Sequence, residues 1–255
     1  MRSIRPRAAA LVTGVSVLLT LGTPALMTAP ASAAVAPAVS AAVPAVAFLA
    51  PAALTARTAD PFRGKTAPAV LALSVRAMKA ASSVHIKLHA LDEKKAVTDI
   101  DAVITSKGAR STLTITGGGT STVLRVGSKA WLSGNADFWR SGGVDDGTVA
   151  TLIGHWIPLS PKNKEDKALI ESTTTAHWVG ILTGVNVAKR VAGKVVRKLP
   201  TVGLLGESGT IFVAAKGKPY PLLEVDPDGL GTISLFDWGK KVTIKAPKAS
   251  LVLKG

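Results

Sequence analysis

Between residues 84 and 132 apolar and polar side chains alternate almost without interruption. Val84, Ile86, Leu88 and Ala90 are interleaved with His85, Lys87 and His89, the two-residue period of a strand with one apolar and one polar face. A polar turn over residues 92–95 leads to a return strand in which Ile100, Ala102 and Ile104 alternate with Asp99, Asp101 and Val103. The pattern continues at Leu113 and Ile115 among threonines, crosses Gly117, Gly118 and Gly119, and resumes at Val123, Leu124 and Val126, then at Ala130, Trp131 and Leu132. This predicts an antiparallel meander of about five strands, with one face against apolar material and the other against water.

Upstream, Val70, Leu73, Ala77, Met78 and Ala81 recur at three- and four-residue spacing, which predicts an amphipathic helix over 69–82. Residues 135–184 lose the two-residue period and carry helical pieces, expected at 146–153 and 175–182. Strands are expected again at 187–196, 202–205, 210–215, 221–225, 232–236 and 242–244, separated by Gly, Pro, Asp and Lys turns. Asp226, Pro227, Asp228 and Gly229 form the clearest of these turns. Strands, short helices and strands again predict an α+β domain with one large antiparallel sheet and its helices on one side. A sheet of that length tends to curl.

The first residues change the picture. Arg2, Arg5 and Arg7 precede an apolar run over 8–21, and Ala31, Ser32 and Ala33 follow, the three regions of a cleavable secretory signal. Thr13, Ser16, Thr20, Gly22, Thr23 and Pro24 interrupt a stretch that would need ~20 predominantly apolar residues to span a bilayer. Residues 34–68 are mostly Ala, Pro and Val, with prolines at 37, 44, 51, 61 and 68 too close together for a long helix or a central strand. The expected organisation is a signal over 1–33, an extended, disordered tether over 34–68 and a folded domain over 69–255, exported and cleaved near Ala33.

The chain has no cysteine, so neither a disulfide nor a thiolate is available to it. Its 31 Lys and Arg against 16 Asp and Glu leave a formal charge of +15, and loss of Arg2, Arg5 and Arg7 with the signal lowers this only slightly. A cationic exported protein meets anionic lipid headgroups or cell-wall polymers in place of nucleic acid. The same charge also serves simply to keep a protein soluble. The densest basic stretch, Lys189, Arg190, Lys194, Arg197 and Lys198, suits an exposed edge or hairpin, where lysines block unwanted strand pairing or bind a partner.

Candidate chemistry is thin. His85 and His89 would sit ~13 Å apart along one face of a strand and cannot share a metal; they read as solvated strand residues. His155 and His177 each precede a tryptophan, and with no nucleophile or carboxylate nearby they read as polar helix-end residues beside a buried indole. Residues 206–209, Gly-Glu-Ser-Gly, miss the spacing of a nucleophile elbow and read as a hairpin turn. Gly117 to Gly119 lack the Lys and Ser or Thr of a phosphate loop. Asp145 and Asp146 fall where a helix start favours negative charge, and residues 226–228 lack the later ligands of a calcium loop. Catalytic residues, metal ligands and cofactors are therefore not expected.

Several segments taken together carry a resemblance. The signal and Ala/Pro-rich tether, the helix ending at residues 80–84, the threonine-rich strand 110–116 and Val-Gly-Ser-Lys-Ala-Trp-Leu at 126–132 are joined by Asp-Phe-Trp at 137–139 and Gly-His-Trp-Ile-Pro-Leu at 154–159. Lys-Gly-Lys-Pro-Tyr-Pro-Leu at 216–222 and Phe-Asp-Trp at 236–238 complete the series. Over residues 70–250 this resembles the mycobacterial LppX and LprG lipoprotein group, which is in turn similar to the bacterial lipoprotein carrier LolA. The resemblance implies a strongly curved antiparallel sheet, an unclosed half-barrel, with helices over its concave face and an apolar cavity between them that carries lipids or lipidated glycans. One departure matters. Ala31, Ser32, Ala33 and Ala34 stand where that group has a cysteine to be acylated, so the chain is expected to be freely secreted or peripherally held in the envelope.

A concave apolar face must be covered, since leaving it in water costs ~25 cal/mol per Å². The expected cavity lining is Ile86, Leu88, Ile100, Leu113, Ile115, Leu124 and Val126 from the sheet, with Trp139, Trp156 and Trp178 from the covering segment. The same residues packed on one another would instead make a closed core. Two functional expectations follow: a non-enzymatic binding protein for a lipid or other amphiphile, or a secreted surface-binding or scaffold module with a filled core that binds anionic polymers or another exported protein.

Overall fold

A computed structural model describes residues 60–254; the expected signal and most of the tether lie outside the described residues. The packed chain begins earlier than the tether's expected end at Pro68, because Phe62 is buried in the core and its carbonyl accepts a 2.8 Å hydrogen bond from Arg190 Nη1.

Helix α1 spans Ala67–Ala80. Thr66 caps it, its hydroxyl accepting from Ala69 N at 3.4 Å, and Pro68 stands in the first turn, where a missing N–H costs nothing. Ala67, Val70, Leu71, Ser74 and Met78 form its buried stripe. The chain turns extended at Ala81 and enters the sheet.

The meander comprises β1 (Ser83–Leu91), β2 (Val97–Thr105), β3 (Gly108–Ile115), β4 (Gly119–Val126) and β5 (Lys129–Gly134). Asp92 folds the first turn by accepting from Lys94 N and Ala96 N at 2.8 and 2.7 Å. Next come α2 (Ala136–Ser141), α3 (Asp146–Leu152), β6 (Ile157–Leu159), α4 (Lys164–Ser172) and α5 (Thr175–Thr183). The expected helices at 146–153 and 175–182 correspond to α3 and α5. Helices α2 and α4 were not read from periodicity, because α2 has only six residues and α4 has no fully buried residue to mark an apolar stripe; their Asn135 and Asn163 caps are the local signal.

The remaining strands are β7 (Lys189–Val191), β8 (Val195–Val196), β9 (Leu199–Leu205), β10 (Thr210–Ala214), β11 (Pro221–Val225) and β12 (Gly231–Phe236). Two expectations are corrected. The strand expected over 187–196 is broken: at Gly193 the backbone passes so close to the Thr201 carbonyl that no Cβ fits, and the chain resumes as a separate two-residue strand. Residues 242–244 are not a strand but part of an extended strap after β12 that ends in a short 3-10 turn, Ala249–Leu251.

All ladders between these strands are antiparallel, in the order β6-β5-β4-β3-β2-β1-β12-β11-β10-β9-β7, with β8 on β9. The first and last strands of the domain join its halves: β1 pairs β12 from His85↔Phe236 to Ala90↔Gly231. Edge strands β6 and β7 do not pair with each other, so the sheet stays open. A register shift between Phe212 and Val213 bends β10.

Two cores form on one face of this sheet. Val84, Ile86, Ile104, Leu204, Ile211 and Leu235 pack under α1 and α5, with Met78, Trp178 and Leu182 among the helical contributors. Val123 and Leu132 pack with Phe138, Trp139, Val149 and Leu152 from α2 and α3. The opposite face carries the polar alternation: Thr112 and Thr122 hydroxyls meet at 3.1 Å, His85 Nε2 lies 2.7 Å from Asp101 Oδ1, and His89 Nδ1 lies 2.8 Å from Asp99 Oδ1.

Candidate functional site: a half-covered strip on the inner face

The registers from β1 to β5 run without a shift, so side-chain parity can be followed across the strands. Leu88 stands opposite Ile100, Ile100 opposite Leu113, and Leu113 opposite Ser121. The next row is Ala90, Thr98, Ile115 and Gly119. Directly opposed residues share a face, so these rows lie on the helix-covered face with Ile86 and Val123.

Leu88, Ile100, Leu113 and Ile115 are only half-buried. Leu88 and Ile100 touch the edge of the α1/α5 core. The helices thus cover the inner face at both sides and leave a contiguous apolar strip between. At the Ile115 end lies an open groove of about 520 Å³, bounded by Ile115, Gly117, Gly119, Asp137, Arg140 and Ser141. Gly119 has φ +78° and faces the Phe138 amide and the Asn135 side chain so closely that a Cβ would collide with both, which brings the Gly117–Gly119 turn against α2. Asn135 Oδ1 accepts from Thr120 N at 3.0 Å and from Phe138 N at 2.9 Å, tying the same helix to β4. Arg140 Nε donates to Asp146 Oδ1 at 2.8 Å, and Asp137 lies 3.6 Å from the guanidinium, which gives the groove a polar, charge-balanced rim.

The expected lining residues are not gathered in one place. Ile86, Leu88, Ile100, Leu113 and Ile115 share the inner face, Ile86 fully buried under α1 and the other four along the strip. Leu124 and Val126 are a correction. Val123 and Arg125 hold the inward positions of β4, and Leu124 stands opposite Arg110 and Trp131 on the other face, with Val126 opposite Gly108. The reason is the pairing Ile115↔Gly119: it aligns β4 one residue away from the face that a run of Val and Leu suggests.

The tryptophans are also placed otherwise than as one lining. Trp139 is 1% exposed in the second core and its indole N–H donates to Gly134 O at 3.1 Å. Trp178 is 2% exposed in the first core and donates to Ser172 O at 3.1 Å. Trp156 stands at the sheet edge, bridged to Val252 of the strap. His177 meets Trp178 edge-on at 5.8 Å, and burial pushes its pKa down; His155 Nδ1 lies 3.1 Å from Ile153 O.

Two inward charged residues were missed, because alternation alone does not show which face a charge takes. Arg125 reaches under the α4–α5 corner, donating from Nε to Thr173 Oγ1 at 3.0 Å and from Nη2 to Thr173 O at 3.1 Å. Glu224 lies opposite Ile211 and Ile233. Burial, with Asp226 beside it, pushes its pKa up to about 8.

The architecture is that of an α+β half-barrel: an unclosed antiparallel sheet with helices over its inner face. No family model matches the sequence, and no curated protein matches it. Among solved structures it is similar to LprF from Mycobacterium bovis, at 15% identity over 71% of this chain and 96% of that one, with a TM-score of 0.46. It is also similar to the lipoprotein LppX from Mycobacterium tuberculosis, at 16% identity over 70% of this chain and 99% of that one, with a TM-score of 0.43. A LolA superfamily protein from Nitrosomonas europaea is similar at 10% identity over 74% of this chain and 98% of that one, with a TM-score of 0.23.

Proposed function

We propose that this chain is an exported, non-enzymatic binding protein that holds a lipid or another amphiphile along the inner face of its half-barrel and carries it within the cell envelope. The observation that supports this reading is the strip Leu88, Ile100, Leu113 and Ile115, apolar and half-exposed between two helix-covered cores. Apolar surface in such a position favours an apolar guest by ~25 cal/mol per Å² removed from water, or ~0.8 kcal/mol for each methylene buried. The groove beside Ile115, with Arg140 at its rim, gives the polar end of an amphiphile a place near water.

The test is retention of ligand. Protein stripped of lipid, incubated with envelope lipids and weighed by native mass spectrometry, is expected to keep one, and Leu113→Trp, which fills the strip, is expected to lose it. A clean apo mass under every condition overturns the proposal.

A second reading has its own support. Ile86, Trp139 and Trp178 are packed nearly or wholly out of water, so most of the inner face is already filled by protein. On that reading the chain is a scaffold with a closed core that acts through its charged surface, and its binding weakens steeply with salt, whereas an acyl chain in the strip is nearly indifferent to it.

A further inference from the structure

The turns of an antiparallel sheet emerge alternately at its two rims, and here the rims differ in charge. At one rim β2 turns into β3 through Lys107, and β4 into β5 beside Lys129; Gly127 N donates to Lys107 O at 2.8 Å, which joins the two turns. The β8–β9 turn at the same rim is Arg197 and Lys198, and the β10–β11 turn carries Lys216 and Lys218. The strap after β12 starts there, its Lys240 carbonyl accepting from Ser83 Oγ at 2.6 Å. It passes Gly108 at Ile244, with Lys241, Lys245 and Lys248 exposed. Among the described residues of these turns the one carboxylate is Asp237. The other rim carries Asp92, Glu93, Glu207 and Asp228 in its turns, against Lys94 and Lys95. A charge that served solubility alone would have no reason to segregate in this way.

Apolar groups project at the basic rim as well. Val195 is 72% exposed, Val242 42% and Leu199 37%. Tyr220 and Trp238, both half-buried, stack there with ring centres 4.6 Å apart and planes nearly parallel, lining a cleft of about 400 Å³ that also touches Arg197, Lys216 and Lys218. The β8–β9 turn is strained: Arg197 and Lys198 have φ 49° and 66°, a left-handed pair that Asn-Gly would adopt at lower cost. The turn thus holds two cations next to the most exposed aliphatic side chain of the rim despite a backbone penalty.

We propose that this rim is a docking surface for a bilayer rich in anionic lipid, with the lysines and Arg197 at the headgroups and Val195, Leu199 and Val242 entering the interface. Cations in the turns supply long-range attraction. Exposed aliphatic tips and a Tyr/Trp pair are what a membrane interface uses and a soluble polyanion does not. Docking of this kind presupposes export, as proposed above, but not an occupied strip. Leu88, Ala90, Ile100 and Ile115 lie toward the opposite ends of the same strands, so a docked molecule keeps its groove away from the bilayer.

The experiment is sedimentation of the processed chain with phosphatidylcholine vesicles, with and without phosphatidylglycerol, beside binding to a soluble poly(glycerol phosphate). Salt-sensitive binding to the anionic vesicles is expected. Reversing Lys216, Lys218, Lys241 and Lys245 to Glu should weaken it by ~100-fold or more, and glutamines at the same positions should act in the same direction by less. Val195→Ser, which leaves charge unchanged, should weaken vesicle binding roughly tenfold and leave polymer binding as it was. All these positions are exposed, and matching melting curves establish folding. Absence of salt-sensitive sedimentation by the unsubstituted chain overturns the proposal. So does indifference of vesicle binding to Val195→Ser combined with equally tight polymer binding, which assigns the rim to a polymer. Leu113→Trp is expected to lose amphiphile and keep vesicle binding, so the strip and the rim can fail separately.

Discussion

Glu224 and Asp226 stand two residues apart at the end of β11 with their carboxyl groups in hydrogen-bonding contact, on the inner face of the sheet. Burial raises both pKa values, that of Glu224 to about 8; Asp226 pushes Glu224 further up, whereas Asp228 adds to the rise at Asp226 and the hydrogen bond with Glu224 opposes it. Gly209 is packed against Glu224: a Cβ there would stand 2.5 Å from its Oε1. The protonated form of Glu224 is therefore the one that suits the folded chain.

This arrangement sets a pH dependence of stability. A carboxyl whose folded pKa is about 8, against 4.5 when unfolded, binds more protons in the folded state throughout that interval. Its contribution is fully present below about 4.5 and is lost as pH rises through about 8, at up to ~1.4 kcal/mol per pH unit. The melting temperature of the parent is expected to fall between pH 5 and pH 8. Glu224→Gln is expected to flatten that slope and to be the more stable protein at pH 8; parallel slopes for the two proteins would refute this role.

Arg125 and Thr173 make a second test. Two hydrogen bonds from one guanidinium to a fully buried threonine hold the α4–α5 corner over β4. Arg125→Met, which keeps much of the length and loses the donors, is expected to cost about 1.5–3 kcal/mol in urea denaturation. Hydrogen exchange should accelerate at the corner before it does in β1 and β2.

Core and strip should separate in their response to truncation. Trp178→Ala removes an indole that fills the α1/α5 core and is expected to cost about 3–5 kcal/mol. Leu113→Ala removes a half-exposed side chain, and the expected cost is about 1 kcal/mol with a measurable loss of bound amphiphile. Equal stability losses at the two positions would mean that Leu113 is core.

The strained hairpin provides the last prediction. Replacing Arg197-Lys198 with Asn-Gly relieves two left-handed residues and is expected to stabilise the domain by about 1–2 kcal/mol. Part of that gain is offset because Arg197 stacks on Phe236 at 3.5 Å. A raised urea midpoint together with weaker vesicle binding would show stability and docking in opposition at one turn.

The helical period of α1 and the two-residue alternation of β1 to β5 were legible because both arise from neighbours in the chain, although of the expected stripe only Val70 and Met78 are fully buried, with Ala67, Leu71 and Ser74 completing the buried face. So were the turns at residues 92–95 and 206–209, where the polar and glycine residues act locally. Leu124 and Val126 show the limit. Alternation states that a strand has two faces, but which face turns inward depends on how the preceding turn aligns the pair, and here Ile115↔Gly119 put Val123 and Arg125 inside. Helices α2 and α4 left only their asparagine caps as a trace, since the six residues of α2 cannot establish a period and α4 lies on the surface with no fully buried position.

The sequence by itself determined the α+β class, the helix–meander order, the absence of cysteine chemistry and the excess of positive charge, all properties of composition and near neighbours. Tertiary structure alone decided that β1 pairs with β12, that Trp139 and Trp178 fill cores while Leu113 stays half-buried, and that lysines scattered from residue 107 to residue 245 converge on one rim. Those relations join residues far apart in the chain, and the free energy that selects among them is long-range packing and strand register, which no local pattern encodes.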